Sequence, residues 1–321
     1  MDYTRREFGR LALAGLPAAM FFDRRPDGAP VQVRPNSLVH GVQLGAITYS
    51  YRSMPGQTAE AILKYVVDSG ISAIEFMGAP VERFAGAPAG RGGGRGGGGR
   101  GAVAPEQPPA VSPLRAWRTS VSMEPFRNLR KMFNDAGVTI YAWKQLSPNM
   151  SDEEFEYVFN VAEALGCTHT TLELPGGANA AAQLKRIGDF AAKKKIYAAY
   201  HTHLQGSITA FDEAFALSDA NRANVDFGHY VAAGGDPIAF LQKFHDKIAS
   251  FHLKDRTTPA NGARNLPWGS GDTPIREILQ LVRKSRWTMP ASIELEYPVP
   301  ADSDAVREVA KCLQFCRDAL A

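Results

Sequence analysis

IASFHLKD, residues 248–255, is the stretch that decides the fold. Its body is apolar on both faces, as in a strand covered from both sides in a parallel sheet, and its chemistry is gathered at the carboxyl end. Four other stretches repeat the pattern: HTTLELP (169–175), IYAAYHTH (196–203), ANVDFGHY (223–230) and ASIELEY (291–297). Carboxylates and imidazoles placed beside buried strands are costly unless they converge on something. A divalent ion at the carboxyl end of a barrel accounts for all five strand ends together.

Outward from these five, three more apolar runs read as strands: VQLGAITYS (42–50), SAIEFMG (72–78) and TIYAWKQL (139–146). Between them lie amphipathic stretches with helical spacing. Residues 58–70 end at Gly70, and Ser151 with Glu154 forms a capping box that opens the next helix. Further helices fit 177–194, 209–221, 236–247, 273–285 and 302–320. Eight strand-helix repeats predict an α/β fold, a single (β/α)8 TIM barrel over residues 37–321. Residues 79–113 are rich in glycine, proline and arginine, and read as a solvated low-complexity insertion after the second strand. Setting aside residues 1–36 and 79–113 leaves 250 residues of 321, the size of an ordinary barrel.

The chain begins with Thr4, Arg5, Arg6, Glu7 and Phe8, followed by the short apolar run LALAGLPAAMFF. This order resembles a twin-arginine export signal, so residues 1–36 are read as a signal and N-terminal arm that engages the twin-arginine translocon, and the mature protein as periplasmic or otherwise exported. No other run is apolar for the length a membrane span requires. The net charge of +3 arises outside the barrel: residues 1–36 carry six arginines against four acids and residues 79–113 four against two, which leaves −1 for the rest. A nucleic-acid partner is therefore not expected. Cys167, Cys312 and Cys316 are too few for a disulfide framework, and Cys312 and Cys316, one helical turn apart, read as core.

Residues two apart on a strand share a face, so His201 and His203, His252 and Lys254, and Glu294 and Glu296 pair off in direction. Glu173, Asp226, His252 and Glu294 would supply three carboxylates and one imidazole, a donor set suited to Mn²⁺, Mg²⁺ or Co²⁺ with positions open to substrate oxygens. Glu296 competes with Glu294 for the last place. His203, Lys254, Glu75 and Glu296 are candidate substrate contacts, and His201 reads as core.

The segments LELP with Glu173, HTH (201–203), VDFGHYVAAGGDP (225–237), FHLKDR (251–256), PWGSGD (267–272) and SIELEYP (292–298) resemble the sugar phosphate isomerase/epimerase superfamily, the xylose-isomerase-like barrels. The resemblance implies a single divalent ion, Mn²⁺ first with Mg²⁺, Co²⁺ and Zn²⁺ as alternates, held by Glu173, Asp226, His252 and Glu294. It also implies His229 as a substrate contact and Glu173 with Glu294 as an acid/base pair. The expected chemistry is proton abstraction beside a carbonyl through an enediolate. Export and the lack of a phosphate-cradling glycine loop favour an unphosphorylated sugar or keto-sugar. The first expectation is a metal-dependent isomerase or epimerase. A 3-keto-glycoside lyase using β-elimination and a non-catalytic sugar-binding barrel are the alternatives, and homo-oligomer formation is left open.

Overall fold

The computed structural model describes residues 34–88, 112–203 and 205–321. Eight parallel strands follow one another in chain order: β1 (Val42–Ile47), β2 (Ala73–Met77), β3 (Thr139–Lys144), β4 (His169–Glu173), β5 (Tyr197–His201), β6 (Asn221–Asp226), β7 (Ile248–Leu253) and β8 (Ala291–Ile293). The last pairs with the first, Leu44 opposite Ala291 and Ala46 opposite Ile293, which closes the sheet into the expected TIM barrel. A two-residue antiparallel strand, Leu38–Val39, leads into β1 through His40 and Gly41, whose φ of 48° and 87° suit a tight hairpin.

The helices are α1 (Ala59–Asp68), α2 (Gly78–Phe84), α3 (Pro113–Arg118), α4 (Glu124–Asp135), α5 (Asp152–Leu165), α6 (Ala180–Lys194), α7 (Asp212–Leu217), α8 (Phe227–Ala232), α9 (Pro237–Phe244), α10 (Ile275–Ser285) and α11 (Ala305–Leu320). Local chemistry sets their ends. Thr58 caps α1 by accepting from Ala61 N, and α1 gives way to Gly70 at φ 79°. Ser151 and Glu154 form the reciprocal capping box of α5. Cys312 and Cys316 are buried on α11, with no disulfide.

Two readings change. The tail of ANVDFGHY is helix α8 rather than strand, because Asp226 Oδ1 accepts the backbone N–H of His229 at 2.7 Å and turns the chain. The range 79–113, read as loop throughout, begins inside α2 and ends at the first residue of α3. Composition hid α2: Val81 is fully buried, and Glu82 accepts from Arg118 Nε at 2.8 Å and from Tyr157 Oη at 3.1 Å. Arg118 also donates to Glu154 at 3.1 Å, joining α2, α3 and α5. Residues 89–111, the centre of that range, and residues 1–33, with the twin-arginine motif, lie outside the described residues. Among the described residues no helix is long and apolar enough to cross a membrane.

The barrel interior holds a set of buried polar side chains drawn from β2, β4, β6 and β7. Glu75, His169, Thr171, Asn224, Ser250 and His252 are all fully buried. Each is paired: His169 Nε2 with Ser250 Oγ at 2.8 Å, Asn224 Nδ2 with Ser250 Oγ at 2.7 Å, and Thr171 Oγ1 with Glu75 Oε1 at 2.6 Å. This column stands directly beneath the strand ends that carry the site.

Candidate metal centre

Four side chains from four successive strands meet at the carboxyl end: His201 at the end of β5, Asp226 at the end of β6, His252 on β7 and Glu294 just after β8. One donor atom from each lies within 4.8 Å of every other. All four are buried. The ladder brings them level, since Asp226 is the register partner of His252, and Glu294 follows Ile293, the partner of Leu253.

The polar column aims both imidazoles. His252 Nε2 lies 2.7 Å from Glu75 Oε2, so Nε2–H donates downward and Nδ1 faces the group, 3.0 Å from Glu294 Oε2 and 3.9 Å from Asp226 Oδ2. A carboxylate behind a histidine in this way orients a ligand nitrogen. Asn224 does the same for His201. Its Oδ1 lies 3.2 Å from His201 Nδ1, which leaves Nε2 for the group, while its Nδ2 donates to Glu75 at 3.2 Å.

Lys254 completes the electrostatics. Its ammonium, 2 % exposed, lies 3.0 Å from Asp226 Oδ2, 3.0 Å from Glu294 Oε2 and 2.7 Å from Glu296 Oε2, and donates to His229 Nε2 at 2.9 Å. The contact to Asp226 lacks hydrogen-bond geometry, so Oδ2 is a buried carboxylate oxygen with no hydrogen-bond partner. Burial pushes the Asp226 carboxyl up to about 7, aided by Glu294 and opposed by Lys254 and His252. Burial pushes Glu294 up as well, but Lys254 and His252 outweigh it and hold the group well below the usual carboxylate range. His252 is lifted to about 10 against its burial by Glu75 and Glu294. Burial, with Lys254 and Arg256 nearby, drives His229 down to about 2, so it is a neutral imidazole. Arg256 approaches its other ring nitrogen, Nδ1.

Asp226, His252 and Glu294 are thus brought together as the strand ends implied; Glu173 is not. Its side chain is half exposed and held by Lys144 Nζ at 2.8 Å and His203 Nδ1 at 3.1 Å. The place it was expected to fill is taken by His201, its register neighbour on β5, which had read as core. Of the expected substrate contacts, His229, Lys254 and Glu296 border the group, Glu75 supports it from beneath, and His203 stands at the rim with its ring centroid 4.7 Å from that of His229. His203 and His229 also form a second histidine group with His201. Lys144, Asn224 and Arg256 went unnoticed in the sequence. The signal for His201 was present in the shared face of His201 and His203.

The donor set fits a divalent ion: two imidazole nitrogens, two carboxylates, one oxygen of which has no hydrogen-bond partner, and a supporting group behind each imidazole.

Comparisons agree with this architecture. Residues 103–316 match the family model described as xylose isomerase-like TIM barrel. The inosose dehydratase of Clostridium tetani is 26% identical over 128 residues, 38% of this chain and 37% of that protein, so the alignment spans about a third of the relative's length. Among solved structures, a sugar phosphate isomerase/epimerase from Parabacteroides distasonis superposes with TM-score 0.60 at 16% identity, covering 86% of this chain and 93% of the other. The probable 3-DHS dehydratase of Bacillus anthracis superposes with TM-score 0.59 at 16% identity, covering 85% and 98%. At such identities these two show a shared fold and no more.

Proposed function

The chain belongs to the xylose isomerase-like TIM barrel family, and from that premise we propose a divalent-metal-dependent enzyme that abstracts the proton beside the carbonyl of an unphosphorylated keto-sugar and then eliminates a β-substituent. The observation that carries the reading is the convergence of His201, Asp226, His252 and Glu294 with the Lys254 ammonium against them. These four would hold the ion, and the two imidazoles make Mn²⁺, Co²⁺ or Zn²⁺ better suited than Mg²⁺. When bound, such an ion polarises a carbonyl and stabilises the negative charge of the enediolate.

The remaining steps fall to this chain's own side chains. Glu294 is kept ionised by Lys254 and His252, the acceptor form that a base requires. Lys254, buried among Asp226, Glu294, Glu296 and His229, supplies the proton to a departing hydroxyl or alkoxide in this reading. His203 and Arg256 at the rim offer donors to substrate hydroxyls. A base and an acid on one side of the substrate suffice for a syn elimination. Epimerisation by paired glutamates needs a second carboxylate opposite the first, and Glu173 is engaged with Lys144 and His203. The likeness to an inosose dehydratase over about a third of its length supports the same preference, which favours the lyase alternative over the isomerase or epimerase first expected from the sequence.

The test is incubation of metal-assayed protein with ketoses and 3-keto-glycosides in D₂O, followed by ¹H NMR. Loss of the α-proton signal with release of water or aglycone is expected. Solvent exchange or a rearranged sugar without a leaving group would return the reading to isomerase or epimerase, and no exchange with metal bound would refute enolisation.

A further inference from the structure

Lys254 stands on oxygens that an ion would also need. Its ammonium lies 3.0 Å from Asp226 Oδ2 and 3.0 Å from Glu294 Oε2. Those residues are also two of the four that can gather around an ion. Two cations cannot both sit at contact distance on the same pair of oxygens without strong repulsion, which at about 4 Å inside a protein is on the order of several kcal/mol.

The lysine cannot retreat to solvent. It is 2 % exposed, and its stem lies across Gly228, the second residue of α8: a Cβ built on Gly228 would come within 2.2 Å of Lys254 Cγ. The stem is therefore held, and only the head has freedom. Besides Asp226 and Glu294 it already has two further acceptors, Glu296 Oε2 at 2.7 Å and His229 Nε2 at 2.9 Å, which lie 3.9 Å from each other.

Resting on the metal reading above, we propose that Lys254 is a built-in cation that shares Asp226 and Glu294 with the divalent ion, and that metal binding moves its ammonium onto Glu296 and His229. Glu296 is then a docking carboxylate for the displaced lysine, which explains a third carboxylate beside a site that needs two. The displaced head stays beside the substrate as the proton donor. Without the ion Lys254 offsets part of the charge of Asp226, Glu294 and Glu296, and with it the ammonium and the divalent charge together match the three carboxylates, so these buried groups never stand wholly uncompensated.

The test is Mn²⁺ binding by isothermal titration to chelator-treated wild type, K254M, K254R, E296Q and K254M/E296Q, with thermal melts of each before and after Mn²⁺. K254M should bind Mn²⁺ about 10–100-fold more tightly, and K254R, which keeps the charge, should show no such gain. K254M without metal should melt lower than wild type and regain the difference with Mn²⁺. E296Q should bind several-fold more weakly, and that loss should shrink in the K254M background, where no ammonium needs a second seat. A plain charge effect of Glu296 would persist there and would overturn the docking role. If K254M does not fold, K254Q carries the same comparison. Equal or weaker Mn²⁺ binding by the neutral variants, with wild type still binding, overturns the proposal and leaves the metal reading standing. No binding of Mn²⁺, Co²⁺ or Zn²⁺ to wild type or to any variant overturns both.

Discussion

His201→Gln and Glu173→Gln separate the two possible fourth ligands. Glu173 is half exposed and tied to Lys144 and His203, and a pair of that kind is worth about 0–1 kcal/mol, so E173Q should change metal affinity by no more than roughly fivefold. His201 is 2 % exposed and presents Nε2 to the group because Asn224 holds Nδ1. Structural zinc in a finger peptide releases about 10–16 kcal/mol on binding, or some 2.5–4 kcal/mol for each of four donors, and on that scale H201Q should weaken binding on the order of 10²–10³-fold. Glutamine keeps a polar atom beside Asn224, which limits damage to the column below. The assay is titration calorimetry with elemental analysis of metal per chain, with melting temperature as the control for folding. Retention of tight binding by H201Q together with loss in E173Q would refute the assignment and return Glu173 to the centre.

Three further outcomes are expected. Arg118→Met leaves Glu82 and Glu154 as nearly buried carboxylates without their common cation, and should cost about 3–5 kcal/mol, a fall of roughly 6–20 °C in a thermal melt; a change under about 2 °C would show that the cluster adds nothing. Burial raises the Glu308 carboxyl, but Lys311, Ser303 and Tyr297 outweigh it and hold the folded value below the ordinary 4.5. The stabilisation is therefore complete above the unfolded value and lost as pH falls through the folded one, so the melting temperatures of wild type and E308Q should differ at pH 7 and converge below about 4.5; a gap constant down to pH 3 would contradict this. Replacing Arg5 and Arg6 by lysine should leave the precursor in the cytoplasm, measured by fractionation, and undiminished export would remove the signal reading.

The alternation of apolar runs and amphipathic helices was enough to establish a closed eight-stranded barrel, because burial on both faces forces strand composition and eight repeats fill one barrel. The same logic located Asp226, His252 and Glu294: each sits where an apolar strand body ends, and period two states which side it faces. Period two says nothing about height along the barrel axis or about neighbours from other strands. Glu173 and His201 are register partners with equal claims on the centre, and the choice between them was made by Lys144 and His203 on one side and Asn224 on the other. The helix α2 was lost to sequence reading for the same reason, since Glu82 is paid for by Arg118, 36 residues away. The sequence alone determined which residues could carry charge at the barrel mouth; only the tertiary structure decided which of them share it, because a buried charge settles where its partner is, and partners come from other strands.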